Sequence, residues 1–245
     1  MKIVLFADNK VGMQVFEYFI KNYPEDLIKV VVTSTSSPIY TEAKLGNVSV
    51  EVFNDFENNF STSESNYDLG ILAWWPNIIK ETTLGVPKFG FINFHPSLLP
   101  FNRGKHYNFW ALVEQSPFGV SIHKVDSGVD TGDIVSQKTI DYGWEDSGET
   151  LYNKAQVAMV DLFKSTYPIL RDKDFNTTPQ DLANGSFHYS SELEKASQIN
   201  LDQSYTAREL LNLLRARTFK GHPSCWFEDE NSKKYEIRID IKRKN

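Results

Sequence analysis

Two short stretches hold residue types that could do chemistry together. Residues 91–110, FINFHPSLLPFNRGKHYNFW, put Asn93 and His95 two positions apart at the end of a short apolar run. Side chains alternate along a strand, so this spacing predicts both on one face. Pro96 should break the ladder there, and Pro100 and Gly104 should shape a loop. Residues 119–133, GVSIHKVDSGVDTGD, end a second expected strand in a tight turn that would bring Asp130 opposite the pair. An amide donor, an imidazole and a carboxylate at strand ends suit acyl transfer through a tetrahedral oxyanion. His123 shares its expected face with Ser121. A zinc set of His95, His123 and Asp130 is disfavoured because closely spaced ligand pairs are missing. Asp126 and Asp133 read first as turn formers.

The elements needed to position these groups follow from periodicity. Residues 2–7 (KIVLFA) and 28–33 (IKVVVT) are apolar runs expected of strands buried on both faces. Between them Val11, Val15, Phe16, Phe19 and Ile20 recur at helical spacing, giving a β-α-β unit and therefore a parallel pair. Further strands are expected at 48–53, 68–74 and 89–94. Short helices are expected at 77–84 and 106–115, the latter with Phe109, Trp110 and Val113 inward. Residues 118–125 and 134–140 read as paired strands around the Asp130 turn. A long helix over 150–168 carries Leu151, Tyr152, Ala155, Met159, Leu162 and Phe163 on one stripe. This alternation predicts a Rossmann-like α/β fold with a mostly parallel sheet. Residues 60–66 read as a polar loop and 172–197 as a polar surface connection. Thr206 and Glu209 form a capping-box signature before Leu210, Leu211 and Leu214. A hairpin should close the chain, with its turn at residues 230–232. The expected division is a catalytic domain over 1–185 and a small helix-plus-hairpin extension over 186–245.

Composition narrows the classes. The 245 residues carry a formal net charge of −6, which argues against a nucleic-acid-binding surface. A hydrophobic fraction of 40% is ample for a packed core. No stretch approaches a membrane span or a secretory leader, so a soluble, cytoplasmic protein is expected. The single cysteine, Cys225, beside Trp226 and Phe227, reads as a buried structural thiol. Asp8, Asn9 and Lys10 sit at the first strand-to-helix turn, where helix amides can meet an anion. A Gly-rich dinucleotide fingerprint is lacking.

The run Asn-x-His-Pro-Ser-Leu-Leu-Pro, then Arg-Gly, then Val-Asp-Thr-Gly-Asp, resembles the formyltransferases that use 10-formyltetrahydrofolate. The resemblance covers residues 1–165 and is strongest over 91–140. It implies that Asn93, His95 and Asp130 are catalytic. Asn93 would donate to the formyl oxygen. His95 would stabilise that oxyanion or move a proton. Asp130 would orient His95 and accept a proton from the attacking amine. The resemblance also implies a folate pocket at Trp74, Trp75 and Pro76, with Asp126 and Gly128. The aromatic pair reads equally well as core.

Among formyltransferases, the loop FNRGKHYNFW and the tail around Arg215, Arg217, Phe219 and His222 look most like sugar N-formyltransferases acting on nucleotide-linked deoxysugars. The expected contacts to such a substrate are Asn9, Lys10, Arg103, Gly104, Lys105, Tyr107, Arg215 and Phe219. A dTDP-linked 4-amino-4,6-dideoxyhexose (the glucose form favoured) is the expected acceptor, made for O-antigen or another surface glycan, with a 3-amino sugar as the near alternative. A homodimer joined by the tail is expected, with no metal, nucleic acid or membrane. The other readings are a methionyl-tRNA formyltransferase-like enzyme, a nucleotide-sugar-binding module without catalysis, and a hydrolase releasing formate.

Overall fold

A computed structural model describes residues 1–59, 66–172 and 175–244. In chain order the first half contains β1 (Lys2–Ala7), α1 (Asn9–Asn22), β2 (Leu27–Val32), α2 (Pro38–Leu45), β3 (Ser49–Val52), α3 (Phe53–Asn59), β4 (Leu69–Ala73), α4 (Glu81–Leu84) and β5 (Phe91–His95). There follow β6 (Arg103–Gly104), α5 (Tyr107–Glu114), β7 (Gly119–Lys124), β8 (Ile134–Thr139) and α6 (Gly148–Arg171). The chain closes with β9 (Phe187–His188), α7 (Glu192–Ala196), α8 (Ala207–Ala216), β10 (Cys225–Glu228) and β11 (Lys234–Ile237). Two compact units emerge. The first comprises Met1–His95, Ser121–Gln137 and Met159–Gln180; the second comprises Pro96–Val120, Lys138–Ala158 and Asp181–Asn245.

The central sheet has seven strands in the order β3-β2-β1-β4-β5-β7-β8. From β3 to β5 every pairing is parallel, and β5 meets β7 antiparallel. The order reverses direction beside β1, the switch-point topology of a doubly wound sheet. In β1 every residue from Ile3 to Ala7 is buried, which is why it reads as a continuous apolar run. Gly70 in β4 is required by packing: a Cβ there would lie 2.3 Å from the ring of Phe91 on β5. Phe91 in turn meets Phe6 edge-on, with ring centroids 5.5 Å apart, in a cluster with Phe56, Leu72 and Ile79.

In α1, Val11, Val15, Phe16 and Phe19 face the core, whereas Ile20 is 41% exposed and lies off the predicted stripe. The long helix α6 runs past Pro168 to Arg171, three residues beyond the expected end. Proline cannot donate to the carbonyl four residues back. That carbonyl, on Lys164, instead accepts from the Tyr18 hydroxyl at 3.2 Å. Periodicity gave no sign of α2, and the helix expected over 77–84 is confined to Glu81–Leu84. Of the loop expected over 60–66, residues 60–65 lie outside the described residues.

In the second unit, α5 buries Phe109, Ala111 and Leu112, so Leu112 takes the inward place expected of Val113. Trp110 is partly exposed and stacks on His188, with centroids 3.8 Å apart and planes 7° from parallel. The segment expected to wander over the surface contains β9, which pairs with β6. The capping box of α8 forms as expected: Thr206 Oγ1 accepts from the Glu209 amide, and Glu209 accepts from the Thr206 amide. Ile199, Leu214 and Cys225 are the buried centre of a small core under the β10–β11 hairpin. Burial raises the Cys225 thiol to about 12, so the thiolate is suppressed and the residue is structural.

Candidate active site

The site grows out of the β5–β7 register. Asn93 pairs with His123 and His95 with Ser121 across the antiparallel ladder. Cross-strand partners project to the same face, so one patch of sheet carries an amide, two imidazoles and a hydroxyl. After Lys124 the chain turns back, and the Lys124 amide donates to the Asp133 carbonyl at 2.8 Å. Gly132 makes that approach feasible, because a Cβ there would stand 2.0 Å from the Lys124 carbonyl oxygen. The returning turn brings Asp130 back to the strand pair. Its Oδ2 lies 3.3 Å from His95 Nδ1, and its Oδ1 lies 3.5 Å from both His123 Nε2 and Asn93 Nδ2.

These contacts constrain where protons sit. His123 Nδ1 lies 2.7 Å from the Lys124 carbonyl, which can only accept, so Nδ1 is the protonated nitrogen. In that tautomer of the uncharged ring Nε2 carries the lone pair, and Asn93 Nδ2 donates to it across 3.3 Å. With Asp130 Oδ1 as the other nearby acceptor, the Asn93 amide nitrogen must face this cluster. An amide has two N–H bonds, one for each of these acceptors, and the longer bond, to Asp130 Oδ1, is the one an oxyanion would displace. His95 is 5% exposed, in a setting where a preorganised donor counts for more than it would in water.

Asn93, His95 and Asp130 are thus brought together in the first unit, with two partners that the sequence did not assign. His123 was weighed only as a metal ligand; here it orients Asn93. Gln180 was passed over in a polar connection, yet it donates to the backbone of the Asp130 turn. Among the described residues no group of three or more His, Cys, Asp or Glu side chains is arranged to hold a metal ion.

The expected folate residues are placed as follows. Trp75 packs edge-on against Phe6 and Phe53, each at 5.2 Å between ring centroids, so its ring belongs to the core. Trp74 is partly buried with a left-handed φ of 59°, and Pro76 is exposed. Asp126 Oδ1 accepts from the Gly128 amide at 3.1 Å and from Thr131 Oγ1 at 2.6 Å. A Cβ on Gly128 would sit 2.1 Å from Thr131 Oγ1, which accounts for that glycine by the turn itself.

Several expected substrate contacts require correction or are simply placed. Asp8 caps α1, accepting from the Asn9 amide at 2.8 Å. A carboxylate already occupies the helix end read as an anion site, while Asn9 and Lys10 are exposed. Arg215 is 5% exposed and donates to Asn212 Oδ1 at 2.9 Å and to the carbonyls of Gly143 and Asp146 at 2.5 and 3.1 Å. Its guanidinium also covers the Trp144 ring at 4.9 Å. The tail cation expected to meet phosphate therefore fastens the chain to itself. Phe219 meets Tyr152 edge-on at 5.3 Å. Arg103 lies over the Phe187 ring at 5.9 Å, Gly104 takes φ 87°, Lys105 is exposed, and burial raises the Tyr107 phenol.

Residues 25–166 match the Formyl transferase family, and residues 192–243 match the N-formyltransferase dimerization C-terminal domain. Over 152 residues the chain is 36% identical to methionyl-tRNA formyltransferase of Thermodesulfovibrio yellowstonii, covering 61% of this chain and 48% of that one. It is 26% identical over 148 residues to dTDP-4-amino-4,6-dideoxyglucose formyltransferase of Mycobacterium bovis, covering 60% of this chain and 63% of that one. The chain thus spans about half to under two thirds of the length of these relatives. It shares the fold of a 4-N formyltransferase from Francisella tularensis, with TM-score 0.85, 22% identity, and coverage of 99% and 98% of the two chains. With its strand-end amide, imidazole and carboxylate in place, and more than half its length matched, this chain belongs to the formyl transferase family.

Proposed function

We propose that this protein transfers a formyl group from 10-formyltetrahydrofolate to the amine of a nucleotide-linked amino-dideoxy sugar. The observation that carries the reading is the meeting of Asn93, His95 and Asp130 on one strand-end patch. Asn93 Nδ2 donates to the formyl oxygen, where negative charge gathers as the amine adds. His95, with Nδ1 beside the Asp130 carboxylate, stabilises that charge or moves a proton through Nε2. Asp130 takes a proton from the amine, which can attack only with its lone pair exposed. The donor supplies an activated formyl group. Trp74 and Pro76, following β4, and the 126–128 turn are the residues of this chain that would hold it.

The Mycobacterium bovis relative supports a sugar acceptor by its name, and the fold shared along the full chain is that of a 4-N formyltransferase. On that basis dTDP-4-amino-4,6-dideoxyglucose is the favoured acceptor, with Arg103 and Lys105 as the remaining cations for a diphosphate. A role in surface glycan synthesis follows from that acceptor. We further propose a catalytic domain over 1–185 and a tail over 186–245 that joins two copies. No described helix is long and apolar enough to cross a membrane. The relative in Thermodesulfovibrio yellowstonii favours a second reading, formylation of initiator methionyl-tRNA. The net charge of −6 weighs against it, because a polyanion needs a surplus of cations.

The decisive experiment incubates the protein with formyl-folate and a panel of nucleotide amino sugars bearing the amine at C3 or C4, with methionyl-tRNA alongside. Formylation of a sugar nucleotide supports the proposal. Formylation of the tRNA alone would replace it, and formate release without any acceptor would indicate a hydrolase.

A further inference from the structure

The catalytic carboxylate sits in an unusual backbone state. Asp130 has φ 54°, in the left-handed region that side-chain-bearing residues seldom adopt. Something must hold it there, and the hydrogen bonds identify the holder. Gln180 Nε2 donates to the Asp130 carbonyl at 2.9 Å and to the Gly132 carbonyl at 2.6 Å. Both neighbours are acceptors, so the amide orientation is forced: only the nitrogen can face them. Gln180 Oε1 is buried and makes no hydrogen bond among the described residues, so the amide is fixed through its nitrogen.

Gln180 does not act alone. Thr178 and Ile134 exchange backbone hydrogen bonds at 2.8 and 2.9 Å, and Thr177 Oγ1 donates to Asp133 Oδ2 at 3.0 Å. Residues 177–180 therefore lie along the whole 130–134 turn as a strap. This strap falls between the two regions matched by family models, 25–166 and 192–243.

We propose that Gln180 is a positioning residue: its amide locks Asp130 in the left-handed conformation that aims the carboxylate at His95. The inference rests on the proposed formyl transfer for its effect on rate, but its geometric part stands independently. Without the two donated bonds, the turn would relax toward a right-handed or extended conformation at Asp130 and swing Oδ2 away from His95 Nδ1. Displacements of about 1 Å at a reacting group typically cost up to 10²-fold in turnover.

The test uses Gln180→Met, which keeps length but donates nothing, and Gln180→Glu, which donates only when its carboxyl is protonated. Expected for Gln180→Met is a fall in kcat of about tenfold to a hundredfold with KM for the sugar nucleotide nearly unchanged. In an Asp130→Asn background the same change should cost less than about threefold more, because the group it positions is gone. Gln180→Glu should regain activity relative to wild type as pH falls and its carboxyl takes up the proton it needs to donate. Independently of any activity, the His95 imidazole titration followed by NMR should move down in Gln180→Met, in the same direction as in Asp130→Asn. The proposal is overturned if Gln180→Met leaves that titration where it is while Asp130→Asn shifts it, or if its cost in rate is equal in both backgrounds. If wild-type protein transfers no formyl group, the titration alone decides the strap, so the two readings fail separately. If Gln180→Met does not fold, Gln180→Glu supplies both the rate and the titration arms.

Discussion

The sharpest consequence of the site concerns Asn93. Its Nδ2 donates to His123 Nε2 at 3.3 Å and to Asp130 Oδ1 at 3.5 Å, and the longer of these two bonds is the one a formyl oxygen would displace to gain its oxyanion donor. Asn93→Ala removes that donor without moving a backbone atom of β5. Loss of one such donor typically costs about 10²–10³ in kcat, or ~3–4 kcal/mol of transition-state stabilisation. The ground-state cost should be smaller: one neutral hydrogen bond at a half-buried site contributes about 1 kcal/mol of stability. Asn93→Asp adds a second effect. A carboxylate there would stand near the 3.5 Å separation now seen to Asp130 Oδ1, where two like charges at an effective dielectric near 20 repel by about 5 kcal/mol. One of the pair must then bind a proton, and the proton inventory of the site is rewritten. Expected is a kcat for Asn93→Asp at or below that of Asn93→Ala at neutral pH, with KM for the donor changed far less than kcat in both. Steady-state formyl transfer, followed by the ultraviolet change as formyl-folate is consumed, measures these constants. A kcat for Asn93→Ala within about threefold of wild type would sink the oxyanion assignment.

Three further predictions concern the scaffold. Asp26 is buried between Tyr167, whose hydroxyl donates to it at 2.5 Å, and Arg171 Nε at 3.1 Å, and it also pairs with the Met1 ammonium. Burial alone would raise its carboxyl, but hydrogen bonds from Met1, Tyr167 and Arg171 carry it below its ordinary value. A depressed carboxyl contributes stability above the unfolded value near 4 and loses it as pH falls through the folded value. Asp26→Asn should therefore cost about 3 kcal/mol at pH 7 by urea melts, and the gap to wild type should close below about pH 4. Arg215→Met should lower stability by about 2–4 kcal/mol through loss of its charged hydrogen bonds to 143–146. Nucleotide-sugar affinity should hold once folding is compensated; a specific loss of affinity in a fully stable variant would restore Arg215 as a ligand. Gly70→Ala, whose new methyl would meet the Phe91 ring at 2.3 Å, should cost about 1–3 kcal/mol, read from the thermal midpoint.

The extent to which the fold could be read in advance depends on where its signals are stored. β1 and β4 announce themselves because strands buried on both faces are apolar nearly throughout, and β2 does so through its buried half, Val30 to Val32. The capping box of α8 is a local code, with donor and acceptor three residues apart, and so it was visible. By contrast α2 has a weak apolar stripe, burying only Ile39 and Ala43, so its periodicity is faint. The two-residue pairing of β6 with β9 spans 84 positions and leaves no local pattern. The run of α6 beyond Pro168 depends on a tyrosine from α1 taking up the freed carbonyl, which no helix-ending rule foresees.

The same logic separates the legible from the illegible within the site. Asn93 and His95 could be paired because a period of two is written in the strand itself. Asp130 is assigned only through the formyltransferase resemblance, because an aspartate in a Thr-Gly turn by itself reads first as a cap of its own backbone. What escaped were groups whose role is defined by the partner they face. Arg215, in a basic and aromatic tail, has the composition of a phosphate ligand, yet three chain acceptors take its Nε and Nη1 hydrogens. Trp75 reads equally as pocket wall or core, and only its edge-on packing against Phe6 and Phe53 places the ring with the core. Gln180 has no distinguishing context at all, yet it grips two carbonyls of the turn that carries the carboxylate. Charge and aromaticity state what a side chain can bind, and topology decides whether the chain itself binds it first. A cation or aromatic read from sequence as a ligand contact is therefore secure only when the folded chain offers it no acceptor or ring of its own. Of the remaining cations expected to meet substrate phosphate, Lys105 is exposed whereas Arg103 lies over the Phe187 ring, and substitutions aimed at the acceptor's diphosphate belong at Lys105 before Arg215.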